Sequence, residues 1–230
     1  ASWYMDARTQ TIYLASEIGR AGEIKTLTLD VTTLPGQTLN AFTIRMKHAA
    51  ARQYGASPTW DASGWTTVFS ADIRPNTMGP YLFSLSAPFS YNGSANLLVD
   101  FSFNNSSWSQ DGYVRVSRPG GNRSLAARCD MDCYGGALNW SGQDPYPSLS
   151  PNVPNIVLGI ARPADNDADG LPNFWESVYA CMQGNTPDQN ADYDADGLNN
   201  TGEYQNQTSP CVADTDADAM NDNFEVVNLC

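Results

Sequence analysis

Aspartates at alternate positions, then a glycine, then a glutamate twelve residues from the start: residues 165–176 read "DNDADGLPNFWE". The arrangement recurs as "DYDADGLNNTGE" at 192–203 and "DTDADAMNDNFE" at 214–225. Calcium requires about six to eight hard oxygen ligands at roughly 2.3–2.6 Å. Carboxylates at positions 1, 3 and 5 of such a loop converge when the backbone curls, which assigns Asp165, Asp167 and Asp169, then Asp192, Asp194 and Asp196, then Asp214, Asp216 and Asp218. Position 7 adds a backbone carbonyl, from Leu171, Leu198 or Met220. The glutamate at position 12, Glu176, Glu203 or Glu225, closes the shell with two oxygens. Gly170 and Gly197 permit the sharp turn, whereas the third loop has Ala219 there and is expected to hold the weakest ion. A single match arises easily by chance in an acidic chain. Three within 61 residues, with the same residue types in the same order, predict about three calcium ions. A merely solvated acidic linker would leave the repeated glutamate unexplained.

Charge separates this region from the rest. Residues 1–162 carry 12 basic and 11 acidic side chains, whereas residues 163–230 carry 14 acidic side chains and no Lys or Arg. The two are expected to be separate domains, 1–162 and 163–230. No basic footprint for nucleic acid is present, and no apolar run is long enough to cross a membrane. The five cysteines, Cys129, Cys133, Cys181, Cys211 and Cys230, form no CxxC pair, and His48 is the only histidine. Structural zinc is therefore not expected, and disulfides in a secreted or extracellular protein are.

The acidic loops resemble thrombospondin type 3 calcium repeats over residues 163–230. They depart from EF-hands because "NIVLGIARPA", ahead of Asp165, reads as a strand and a turn rather than an incoming helix. Segments "FWESVYACM" and "GEYQNQ" are predicted as short helices, with Phe174, Trp175, Tyr179 and Met182 as a small core. A Cys181–Cys211 bridge would tie the first loop to the third, and Cys211–Cys230 is the competing pairing. A cysteine left over fits a piece of a larger chain with further domains.

Residues 1–162 alternate in strand fashion. In "AFTIRMKH", Phe42, Ile44, Met46 and His48 share one face; in "NLLVDFSF", Leu97, Val99, Phe101 and Phe103 do. Further strands are predicted in "TIYLASEI", "IKTLTLDVTT", "WTTVFSADI", "YLFSLSAPF", "YVRVS" and "NIVLGI", separated by Pro, Gly and Asn turns. Some eight strands predict an all-β fold, a jelly-roll-type β-sandwich followed by the small calcium segment with short helices.

No nucleophile, metalloprotease or phosphate-loop motif occurs, and His48 sits at strand spacing among core residues, so an enzyme is not expected. Binding is. Trp108, Tyr113, Arg115, Arg118 and Arg123 lie in one stretch that also holds Tyr134, Trp140 and the "CDMDC" staple. Aromatic faces stack on sugar rings and Arg forks onto carboxylate or sulfate, which points to a carbohydrate-binding module for an anionic polysaccharide. Trp60 and Trp65 form a weaker second candidate, and Asp130 and Asp132 could hold a calcium ion of the sandwich's own. The strands also resemble, diffusely, β-sandwich accessory modules of secreted multidomain bacterial proteins, through "IYLASEIG", "FTIRMKH", "GWTTV" and "NLLVDFSFNN". The resemblance implies an accessory role and names no ligand. The rival reading is an adhesin or protein-binding fragment, which requires a flatter apolar patch.

Overall fold

The computed structural model describes residues 4–130, 133–161 and 164–228. Asp132, Cys230 and the side chain of Tyr134 lie outside the described residues. The chain divides into two compact units, Ala1–Ala161 and Arg162–Cys230.

The first unit is built from antiparallel strands: β1 (Asp6–Tyr13), β2 (Gly22–Thr33), β3 (Leu39–Ala49), β4 (Thr66–Ile73), β5 (Gly79–Tyr91) and β6 (Asn96–Asn104). After these come the short β7 (Tyr113–Val114) and β8 (Val116–Ser117), then β9 (Ser124–Cys129), β10 (Ser148–Ser150), β11 (Val153–Pro154) and β12 (Ile156–Ala161). The larger sheet runs β10-β9-β1-β6-β3-β4; the smaller runs β12-β2-β5, with β7 also on β2. From β1 to β6 the chain changes sheet at every step except the β3–β4 hairpin, which is the path of a jelly roll.

Alternation in the sequence explains the core between the sheets. Leu97, Val99 and Phe103 of β6 meet Phe42, Ile44 and Met46 of β3 on one side, and Ile24, Leu27 and Phe83 come from the smaller sheet. The ring of His48 packs on Phe89 and Tyr91, its Nε2 accepts from the Asn92 amide, and burial lowers its pKa; it is part of the wall.

One local expectation fails, and one feature of the larger sheet goes beyond the expected sandwich. The end of "TIYLASEI" is not strand but a helical turn, α1 (Ala15–Ile18), closed by Gly19 at φ 84°. Here Glu17 accepts from the Leu14 amide and takes both guanidinium nitrogens of Arg123, at 2.9 and 2.7 Å. The larger sheet is also covered on its outer face, by a second cluster of Trp60, Leu125, Ala137 and Trp140. Strands β9 and β10 belong to this side and carry little alternation of their own.

Arg8 secures that cover. Its Nε donates to Asp100 Oδ2 at 2.7 Å, its Nη1 to the Trp140 carbonyl, and its guanidinium lies over the Trp60 ring. Gln10 and Arg45 donate to the same Asp100 oxygen at 2.9 and 3.0 Å. Burial lowers the Arg8 pKa, and Asp100 opposes the shift. Removing one member strands a buried charge, so Asp100→Ala should destabilise the sandwich by about 3–5 kcal/mol in urea unfolding, and an unchanged midpoint would contradict this role.

Candidate metal centre and sandwich surface

The three loops of the second unit share one backbone scaffold. The amide at position 6 donates to the first aspartate: Gly170 to Asp165, Gly197 to Asp192 and Ala219 to Asp214, at 3.1, 3.0 and 2.8 Å. The amide at position 7 donates to the third: Leu171 to Asp169, Leu198 to Asp196 and Met220 to Asp218, at 2.8, 2.7 and 2.9 Å. These turns draw the carboxylates of Asp165, Asp167 and Asp169 together, and likewise those of Asp192, Asp194 and Asp196 and of Asp214, Asp216 and Asp218. In each group the oxygens lie within 4.8 Å of one another. Position 6 has φ of 98° in Gly170 and 100° in Gly197, and 78° in Ala219. The Cβ of Ala219 at that angle costs about 1 kcal/mol.

Two further groups form where one loop meets the next segment. Asp169 and Glu176 gather with Asp188, and Asp196 and Glu203 with Asp222. The Asp188 and Gln189 amides both donate to Asp169 Oδ2 at 3.0 Å, and the Asn223 amide donates to Asp196 Oδ2 at 2.9 Å. Asp188 and Asp222 were missed because they stand outside the loop pattern. A signal for them existed: the pattern uses 12 of the 14 acids in this region and leaves these two.

Short helices carry the closing glutamates: α2 (Asn173–Glu176), α3 (Asn200–Asn206) and α4 (Asp222–Asn228). Asn199 caps α3 by accepting from the Gly202 amide. Leu171, Trp175 and Met182 form the core beneath the loops, with Tyr179, Cys181 and Tyr204 against it. Phe174, expected in that core, is instead exposed, because α2 turns Trp175 inward. Glu176 and Glu203 are each only 1% exposed; both carboxylate oxygens of Glu176 lack a hydrogen-bond partner, whereas the Thr208 side chain partly offsets the burial of Glu203. Asp165 Oδ1, Asp167 Oδ2, Asp188 Oδ1 and Asp194 Oδ2 also lack a hydrogen-bond partner. Glu225 joins none of the acidic groups among the described residues. Disulfides join Cys181 to Cys211 and Cys129 to Cys133, with Cα–Cα distances of 5.9 and 6.3 Å. They fit an oxidising environment.

On the sandwich, the five expected ligand residues separate. Trp108 and Tyr113 are 63% and 55% exposed. The Tyr113 hydroxyl donates to Asp111. Arg115 donates to Asp30 at 2.6 Å and Arg118 to the Asn152 side chain at 2.7 Å, both at the surface. Arg123 is a correction. It is 4% exposed and bound to Glu17 and the Ile12 carbonyl, so it has no face left for a ligand. Trp60 is likewise buried, its indole donating to the Pro145 carbonyl, and Trp65 lies against Arg45 and Lys47. Asp130 joins no acidic group among the described residues. None of the described helices is long and apolar enough to cross a membrane.

Comparison with known protein families, characterised proteins and solved structures finds no match to this chain.

Burial and the neighbouring aspartates push Glu176 and Glu203 from 4.5 up to about 7, burial contributing most, against an opposing hydrogen bond from Thr208 at Glu203. A raised carboxylate pKa means the folded unit binds protons more tightly than the unfolded chain, so ionisation weakens the fold. Without metal, residues 164–228 should therefore lose stability as pH rises from 4.5 through about 7. Hydrogen-exchange protection factors in chelator should be larger at the acid end of this window; equal protection at both ends would refute the shift.

Proposed function

We propose that residues 164–228 bind calcium, about three ions, in thrombospondin type 3-like repeats, and that the bound segment is a stiff spacer following a non-catalytic β-sandwich module. The observation that carries this reading is the burial of Glu176, with no hydrogen-bond partner, and of Glu203, each facing two aspartates. Buried carboxylates without a cation are costly, and no Lys, Arg or His occurs in residues 163–230. The donors are carboxylates and backbone carbonyls, a hard all-oxygen set suited to calcium rather than zinc or copper. Calorimetry on the whole chain should give calcium-binding heat for about three sites. Glu176→Gln and Asp188→Asn should each weaken binding, and Ala219→Gly should tighten the weakest site. Absence of calcium heat, with unchanged circular dichroism on chelation, would reject the proposal.

For the sandwich, exposed Trp108 and Tyr113 near surface Arg115 and Arg118 in sequence support a carbohydrate ligand, an anionic polysaccharide. The adhesin alternative has its own support: Val157, Thr28 and Leu82 stand in register across the outer face of the smaller sheet, with Val157 and Leu82 exposed. A pull-down on alginate, carrageenan and neutral cellulose separates the two. Under the polysaccharide reading the acidic polymers retain the protein, Tyr113→Ala and Arg115→Ala lower retention, and salt removes the arginine share. Retention unaffected by either substitution would refute the assigned residues, and no retention on any polymer would favour the adhesin.

A further inference from the structure

We propose that the sandwich carries a second site, adjoining the surface of Tyr113: a largely apolar cavity between its sheets that takes a small aromatic molecule about the size of a substituted benzene. The cavity holds about 180 Å³ and is walled chiefly by Leu29, Val31, Phe42, Tyr81, Phe101 and Phe103, with Arg8, Thr9, Thr33 and Ser102 as its polar members. Its origin lies in side-chain size. On β1 the residues opposite Phe103 and Phe101 are Ala7 and Thr9, too small to reach the smaller sheet. Strand β7, paired to β2, is two residues long, and Tyr113 and Val114 are its whole contribution to the lining. Tyr81 and Phe101 remain partly exposed although they pack against the core, so the void is reached from solvent.

The mouth is braced. Pro35 and Pro75 stand at the cavity, and the loop bearing Pro35 is tied to the one preceding β7. Gly36 donates to the Gln110 carbonyl at 3.0 Å, and Gln37 to the Ser107 carbonyl at 2.7 Å. The backbones are so close that a Cβ on Gly112 would stand 2.9 Å from the Pro35 nitrogen. A mouth held this way does not collapse to fill the void, and a pre-formed apolar hollow is the usual form of a small-molecule site.

Volume and lining decide the class of ligand. An apolar cavity of about 150 Å³ lined by Leu, Ile and Phe stays dry and admits benzene. The slightly larger hollow here offers four aromatic walls for edge and face contacts. A sugar ring would lose the hydration of its hydroxyls against the same walls, so this site differs from any glycan surface and stands whether or not the sandwich binds polysaccharide.

The test is an NMR titration of the whole chain with toluene, p-cresol and, as a polar control, galactose. Toluene or p-cresol should produce saturable shifts at Val31, Phe101 and Val114, and galactose none there. Val114→Trp fills the hollow from the mouth and Thr9→Leu from the β1 side, so that one still reports if the other fails to fold. Each folded variant should weaken aromatic binding by about tenfold or more, while Leu82→Ala, on the outer face, should leave it unchanged. No saturable shift with either aromatic, or equal affinity in the filled variants, would overturn the proposal.

Discussion

Fourteen carboxylates and no cationic side chain share residues 163–230, and that imbalance governs the rest of the C-terminal unit. Its turns bring acidic oxygens within 4.8 Å of one another. Like charges at that range, with an effective dielectric constant of about 20, repel by roughly 3–4 kcal/mol per pair. The few core residues, chiefly Leu171, Trp175 and Met182, cannot offset several such pairs. On the reading proposed above, a fold that buries Glu176 and Glu203 under these conditions would be completed by an external cation. Three divalent ions would cancel six of the fourteen charges and convert repulsion among the remaining oxygens into shared coordination.

The sandwich meets the same difficulty with its own side chains. Asp100 is as deeply buried as Glu203, yet Arg8, Arg45 and Gln10 all converge on one of its oxygens. Glu17 is held below its usual pKa chiefly by its hydrogen bonds to Arg123. Charge balance is internal in one unit and left open in the other. This difference, rather than acidity alone, is what favours the proposed metal site over a structural ion pair.

The sequence made the loops readable because their chemistry is local: ligand types at fixed offsets within twelve residues, on a backbone whose turns those same residues stabilise. Strand alternation was readable for β2, β3, β5 and β6, where one face meets the core. What escaped depends on contacts between distant segments. Asp188 and Asp222 act through the neighbouring loop, not their own. Arg123 looked like a surface cation because its partner, Glu17, lies 106 residues away. Leu98, Asp100 and Ser102 stand on the second face of β6 and are nevertheless buried, and Asp100 is tied through Arg8 to Trp60 and Trp140, which come from loops. Periodicity cannot reveal a face that is covered by irregular chain.

The same long-range contacts make the acidic segment one unit rather than a string of beads. The third carboxylate of the first loop is held by the Asp188 and Gln189 amides ahead of the second loop, and that of the second loop by the Asn223 amide. Each of these loops is thus shaped by chain that follows it. The Cys181–Cys211 bridge closes 30 residues around this arrangement, which restrains the unfolded chain by about 3–4 kcal/mol in the chain-entropy model. Under the proposed calcium binding, an ion seated in the first loop would order the start of the second, and the bridge would keep the third within reach. The third loop differs in the way this logic requires. Its Asp214, Asp216 and Asp218 gain no acid from a later segment among the described residues, and Asp216 and Asp218 remain exposed. Rigidity in the segment is accordingly graded, greatest where a loop is completed by its successor and least where it is not.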